Sequence, residues 1–99
     1  MYQFVTTIQA TRKSKYKGHN LMTINVLNDT SRGGRITIKM CWTNIEPNGL
    51  IYRGVGSKMP LDEVYDIDEF LNNYDAFRKH ILERVCVRMH ESFEAWTII

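Results

Sequence analysis

Hydrophobic and polar residues alternate one by one in three segments of the first 55 residues, 2–10, 21–27 and 35–45. This period of two is typical of strands that bury one face and expose the other. A strong turn signal over residues 46–49 predicts that residues 50–55 return as a fourth strand. In the first segment, the alternation predicts one side made of Tyr2, Phe4, Thr6 and Ile8. Residues that favour turns separate the segments, so we predict a four-stranded antiparallel meander.

After the predicted fourth strand the apolar period changes to the three or four residues of a helix. Apolar side chains within residues 66–96 fall on one face when drawn at 100° per residue. Asp66, followed three residues later by Glu69, fits an N-terminal capping box. An unbroken helix of this length would extend about 45 Å. We therefore expect the helix either to overhang the sheet or to bend near Asn72 and Asn73.

These patterns predict an α+β fold, in which a long C-terminal amphipathic helix covers one face of the four-stranded meander. The chain has 99 residues, which is enough for one domain, and we assign residues 1–99 to it. The other face of the sheet is expected to remain in solvent. Lys39 and Arg53 are the candidate binding residues on that face.

Several classes of protein are disfavoured by composition. No apolar run approaches the roughly 20 residues of a membrane span, and the first residues lead directly into a strand pattern rather than a signal peptide. Two cysteines, Cys41 and Cys86, favour a reducing compartment over a disulfide scaffold. We expect a cytoplasmic protein without membrane contact, located in the host cytoplasm if the chain is viral.

Charge divides the chain into two halves of opposite sign. Residues 1–60 carry nine basic and two acidic side chains, whereas residues 61–99 carry four basic and nine acidic ones. Charges of one sign gathered on one face create a field that selects which partners approach it. Opposite signs also permit self-association, so a homodimer is a further prediction.

The basic half contains a candidate binding hairpin, made of Arg12, Lys13, Lys15, Tyr16 and Lys17. Cations of this kind bind phosphates, and an aromatic ring among them can stack on a base. A solvated hairpin tip is the alternative interpretation. The acidic half contains a second candidate surface, made of Asp62, Glu63, Asp66, Asp68, Glu69 and Asp75. These acids could imitate a nucleic-acid backbone toward a basic protein, although helix capping explains several of them equally well.

Two residues depart from the helical pattern and are candidate interface residues. Arg78 places a charge within the apolar face, and Trp96 lies in an apolar C-terminal segment. Either both mark a protein interface, or Arg78 extends past the sheet edge while Trp96 folds back onto the core.

The sequence contains no assembled catalytic set. Cys86 and His90 stand one helical turn apart, but no Cys-x-x-Cys knuckle accompanies them, so we expect no metal, no cofactor and no enzymatic activity. The leading hypothesis is a small binding protein that docks onto a larger machine. Phage-encoded host-takeover and anti-defence inhibitors, such as inhibitors of a nuclease or CRISPR-type complex, work in this way. Its partner would be a protein or a protein–nucleic acid complex. The alternative is a nucleic-acid-binding domain that uses the basic hairpin and the basic sheet.

Overall fold

The computed structural model describes residues 1–13, 18–54 and 56–99, without the side chain of Arg53. Within these residues the fold is α+β, with six antiparallel strands and two consecutive α-helices. The strands are β1 (Tyr2–Lys13), β2 (His19–Asp29), β3 (Arg35–Ile45), β4 (Ile51–Arg53), β5 (Ser57–Val64) and β6 (Thr97–Ile98). The helices are α1 (Ile67–Asn72) and α2 (Tyr74–Arg88), and short 3-10 turns span Thr30–Arg32 and Phe93–Ala95.

The sheet is built on the long antiparallel pairs β1–β2 and β2–β3, which confirms the predicted meander in outline. The predicted fourth strand over residues 50–55 is wrong in extent, because β4 stops at Arg53 and β5 continues along the same edge of β3. At Gly54 the chain comes very close to β3: its N–H donates to the carbonyl of Trp42 at 2.6 Å. The sequence of β5 shows no clear alternation of apolar and polar residues, because Pro60 interrupts it. An edge strand tolerates a proline of this kind.

The core lies between one face of the sheet and α2. The buried sheet side chains include Ile8, Met22, Ile24, Val26, Ile36, Ile38, Met40 and Leu61. From α2 the buried side chains are Phe77, Ile81, Leu82, Val85 and Cys86. We call the face beneath α2 the inner face of the sheet, and the opposite one the outer face.

A β-bulge in β1 changes the side on which its first residues lie. Phe4 is opposite Leu27, but Thr6 is opposite Val26, so the register shifts by one residue between them. A shift of one residue moves side chains to the other face. The prediction that Tyr2 and Phe4 share a side with Ile8 is therefore wrong. They lie on the outer face, whereas Ile8 is in the core.

The predicted continuous helix over residues 66–96 is also wrong. The chain leaves the helical conformation at Asn73 (φ −137°, ψ 54°), which separates α1 from α2 close to the predicted bend. α2 ends at Arg88, and the positive φ of His90, 56°, belongs to the reversal that follows. The expected cap is confirmed at Asp66, whose carboxylate accepts hydrogen bonds from the backbone N–H groups of Asp68 and Glu69; the return bond from the Glu69 side chain that completes a capping box is not among the described hydrogen bonds.

The C-terminal segment returns to the sheet instead of extending beyond it. β6 pairs with Ala10 and Thr11 of β1, on the edge opposite β5. Trp96 is buried and its ring meets that of Trp42 edge to face, with 5.0 Å between the centroids. The predicted position of Trp96 on the helix is thus corrected, and the structure has the alternative arrangement in which this residue folds back onto the core. None of the described helices is long and apolar enough to cross a membrane.

We expect Leu82→Asp to unfold the protein. The side chain of Leu82 is fully buried against the sheet, where an unpaired carboxylate would cost several kcal/mol. Val87→Asp is the matched control because Val87 is exposed on the same helix. Thermal unfolding followed by circular dichroism should show a cooperative transition for the control only. A folded Leu82→Asp protein with unchanged melting would contradict the packing of α2.

Candidate functional site

The outer face of the sheet carries no covering element in the described part of the chain, and its exposed charges are mainly basic. The strand registers place on it the cations Lys13, Arg35, Lys39 and Lys58. The helical layer, by contrast, holds most of the acids: Asp66, Asp68, Glu69, Asp75, Glu83, Glu91 and Glu94. The helical layer thus holds more acids than cations, although α2 also contains Arg78, Lys79, Arg84 and Arg88, whereas the described charges of the outer face are mostly basic.

Two shallow hollows lie side by side on the outer face. The first has a volume of about 290 Å³ and is lined by Asn25, Lys39, Met40, Cys41, Gly56, Ser57 and Lys58. The second has a volume of about 420 Å³ and is lined by Gln9, Leu21, Thr23, Cys41, Thr43, Ile45 and Ile51. Cys41 lines both hollows; the first contains two lysines, whereas the side chains that line the second are uncharged.

Lys39 and Lys58 stand directly opposite each other on β3 and β5. Like charges in this position destabilise a sheet. No acid of the described chain forms an ion pair with either lysine. The ammonium of Lys58 instead lies 4.2 Å from the centroid of the Tyr2 ring. The first hollow thus has two lysines without a described acidic partner, and one of them, Lys58, lies over an aromatic ring.

Two aromatic rings are exposed on the same face. Tyr2 is 42% exposed and Phe4 is 64% exposed. The start of β1 is fixed in place because both the N–H and the hydroxyl of Thr30 donate to the carbonyl of Met1, at 3.0 and 2.9 Å. Sequence reasoning missed Tyr2, Phe4 and Lys58 as site residues, since neither the bulge nor β5 leaves a clear pattern in a single sequence.

The acids near the outer face do little to offset its lysines. Asp29 is buried and accepts hydrogen bonds from the hydroxyl and N–H of Ser31, which hold the pKa of its carboxyl below the usual value. Asp62 lies 3.9 Å from Arg35, and both side chains are well exposed, so this ion pair contributes little.

The remaining predicted acidic residues lie on or against the helical layer. Glu63 contacts His80 at 2.7 Å and Arg84 at 2.9 Å, which ties β5 to α2. Asp66 caps α1, and Asp68 and Glu69 are exposed in its first turn. Asp75 is paired with Arg78 at 2.6 Å, and the same guanidinium lies 5.0 Å from the ring of Tyr74. A binding role for these residues stays a prediction.

Of the predicted basic hairpin, Arg12 and Lys13 lie within the described residues, and their environments differ. Arg12 belongs to β1, and its guanidinium lies between the rings of Trp42 and Trp96, 4.9 and 4.8 Å from their centroids. It also forms an ion pair with Glu91, so it already has several partners within the chain. Lys13 is exposed. Lys15, Tyr16 and Lys17 lie outside the described residues, as does the side chain of Arg53, whose backbone pairs with Thr43.

The two cysteines lie in different environments. Cys86 is buried in the core, and this burial raises the pKa of its thiol to about 11. Cys41 is half-buried at the junction of the two hollows. Within the described residues, no three His, Cys, Asp or Glu side chains are grouped so that they could hold a metal ion.

Comparison with known proteins found no match among family models, curated proteins or solved structures.

Replacing Arg12 by Ser should lower the free energy of unfolding by about 1–3 kcal/mol, because Trp42, Trp96 and Glu91 would lose a shared partner. Lys13→Ser removes the same charge from the neighbouring exposed position, and we expect it to change stability by less than about 0.5 kcal/mol. Urea unfolding of both variants measures the difference. Equal stabilities would show that the cluster around Arg12 does not hold the C-terminal segment.

We expect Cys41 and Cys86 to differ strongly in reactivity. In the native protein at neutral pH, a thiol reagent such as dithiobisnitrobenzoate should modify Cys41 and leave Cys86 unmodified, because the reagent needs an accessible thiolate. Mass spectrometry of peptides identifies the modified residue. Both thiols should react in denaturant, and rapid native labelling of Cys86 would contradict its place in the core.

Proposed function

We propose that this protein is a non-enzymatic binding protein that docks onto a larger macromolecular assembly through the outer face of its sheet. The proposal depends on one observation: the outer face is mostly basic and the helical layer mostly acidic. In the described residues, no element covers the outer face. A surface of this kind is complementary to an anionic one. A protein–nucleic acid complex offers such a surface, and it is the partner we favour.

The inhibitor hypothesis is the most specific form of this proposal. Small size and surfaces of opposite charge support a protein that blocks a nuclease or CRISPR-type complex by occupying its surface, as phage-encoded host-takeover and anti-defence proteins do. Such a protein needs a firm scaffold and an interface rather than a set of reacting groups.

A second candidate surface is α1, where apolar and acidic residues are exposed together. Ile67 is 57% exposed and Leu71 is 67% exposed, and they lie one turn apart on the same side of the helix. The acids Asp68 and Glu69 stand beside them. Exposed apolar side chains within a charged rim suit a basic protein surface.

Affinity capture with matched surface variants tests which layer docks. In Lys39→Ser/Lys58→Ser the outer face loses two cations, and in Asp68→Asn/Glu69→Gln the helical layer loses two acids. All four residues are exposed, so both variants should fold. We expect the lysine variant to capture at least about tenfold less partner than the unaltered protein does. The acid variant should capture the same amount as the unaltered protein. The opposite result would assign docking to α1, and equal recovery by both would contradict docking through either layer.

A further inference from the structure

We propose that the outer face binds single-stranded nucleic acid, with Lys39 and Lys58 on the phosphates and with Tyr2 and Phe4 stacked on bases. This inference rests on the proposed function, because it names the ligand of the same surface. We call the four residues the strand-binding site. Its residues belong to β1, β3 and β5.

The two lysines provide the first reason. Their opposed positions on β3 and β5 put two cationic side chains next to each other on the outer face, and no described acid forms an ion pair with either. A ligand with closely spaced negative charges would turn this repulsion into attraction. Phosphates of a nucleic-acid strand are such a ligand, and each lysine that binds one also releases condensed counterions.

The two rings provide the second reason. Tyr2 and Phe4 are two residues apart on one strand and point to the same side, so they lie about 6.6 Å apart along β1. Exposed rings on a sheet surface are platforms on which unpaired bases stack, and they accept any base because every base has a flat face. The ammonium of Lys58 lies over the Tyr2 ring, 4.2 Å from its centroid, so a phosphate that draws this ammonium toward itself would free the ring face for a base of the same nucleotide.

The combination of rings and cations favours a nucleic acid over an acidic peptide. The acidic side chains of such a peptide would contact the lysines but would not stack on the rings. It also favours a single strand over a duplex, because the bases of a duplex are already stacked on each other. On the same face Thr7 donates to Asn25 and Gln9 donates to Thr23, so a base edge would use the remaining donors and acceptors of these side chains or replace one of these bonds.

Fluorescence anisotropy with a labelled oligothymidylate tests the lysines. Lys58→Ser should weaken binding about tenfold, and it should reduce the slope of log affinity against log salt by about 0.7, the value for one phosphate contact on a single strand. Lys79→Ser is the matched control, because it removes one exposed lysine from α2. This control should change neither quantity. If both variants lost affinity equally, the oligothymidylate would be attracted only by the overall charge of the protein. That result would overturn the site.

The rings are tested with the same probe. Phe4→Leu keeps an apolar side chain but removes the ring, and we expect it to weaken binding about tenfold. Tyr52→Leu is the control, since Tyr52 is also exposed but its register partner Asn44 belongs to the inner side of β3. A duplex of the same length should bind at least about tenfold more weakly than the single strand. Tight duplex binding that does not depend on Phe4 would overturn the stacking.

Cys41 gives an independent measure of where the ligand lies. It is two residues from Lys39 and lines the same hollow, so bound oligothymidylate should slow its modification by a thiol reagent several-fold. If saturating oligothymidylate left the rate of Cys41 modification unchanged, it would bind elsewhere, and this result would overturn the site. Oligothymidylate that fails to bind even at low salt would also overturn this inference. In that case, partner capture that still depends on Lys39 and Lys58 would leave the proposed function standing with another anionic partner.

Discussion

Burial of the inner sheet face under α2 is the constraint on which the other features depend. Three long strands with apolar residues on one side are not stable until something covers that side, and α2 supplies five buried side chains for this purpose. Because the helical layer is used for the inner face, the outer face of the described chain stays open. The same packing keeps Cys86 inert and leaves Cys41 accessible. The candidate binding surface is therefore a consequence of how the core is completed.

The bulge in β1 shifts the register by only one residue, but it decides on which face of the sheet Phe4 lies. Regular pairing would direct Phe4 toward the helical layer, together with Ile8 and Ala10. The register shift sends it to the outer face, where it is exposed beside Tyr2. Bulges near sheet edges are typical places at which proteins redirect a side chain. Because most of this ring lies outside the core, we give it a role in binding.

The sequence predicted those parts of the structure that depend on periodicity and local hydrogen bonding. The alternation of Met22, Ile24 and Val26 indicated their burial, and the Asp66 cap depends only on neighbours in the chain. The β1 bulge, the division between β4 and β5, and the end of α2 at Arg88 depend on contacts between distant segments. Arg12 shows the same limit at the level of a side chain. Its charge favoured a binding role, but its partners Trp96 and Glu91 are about 80 residues away and no spacing rule connects them to it.

Cross-strand stability does not explain the opposed lysines of the outer face. Several acids in this chain satisfy a helix end or a cation, as Asp66 and Asp75 do. One acid opposite Lys39 would have removed a repulsion and could have added a few tenths of a kcal/mol. Instead Lys58 stands there. This cost on the open face is what we expect of a surface whose proposed role is to attract anions.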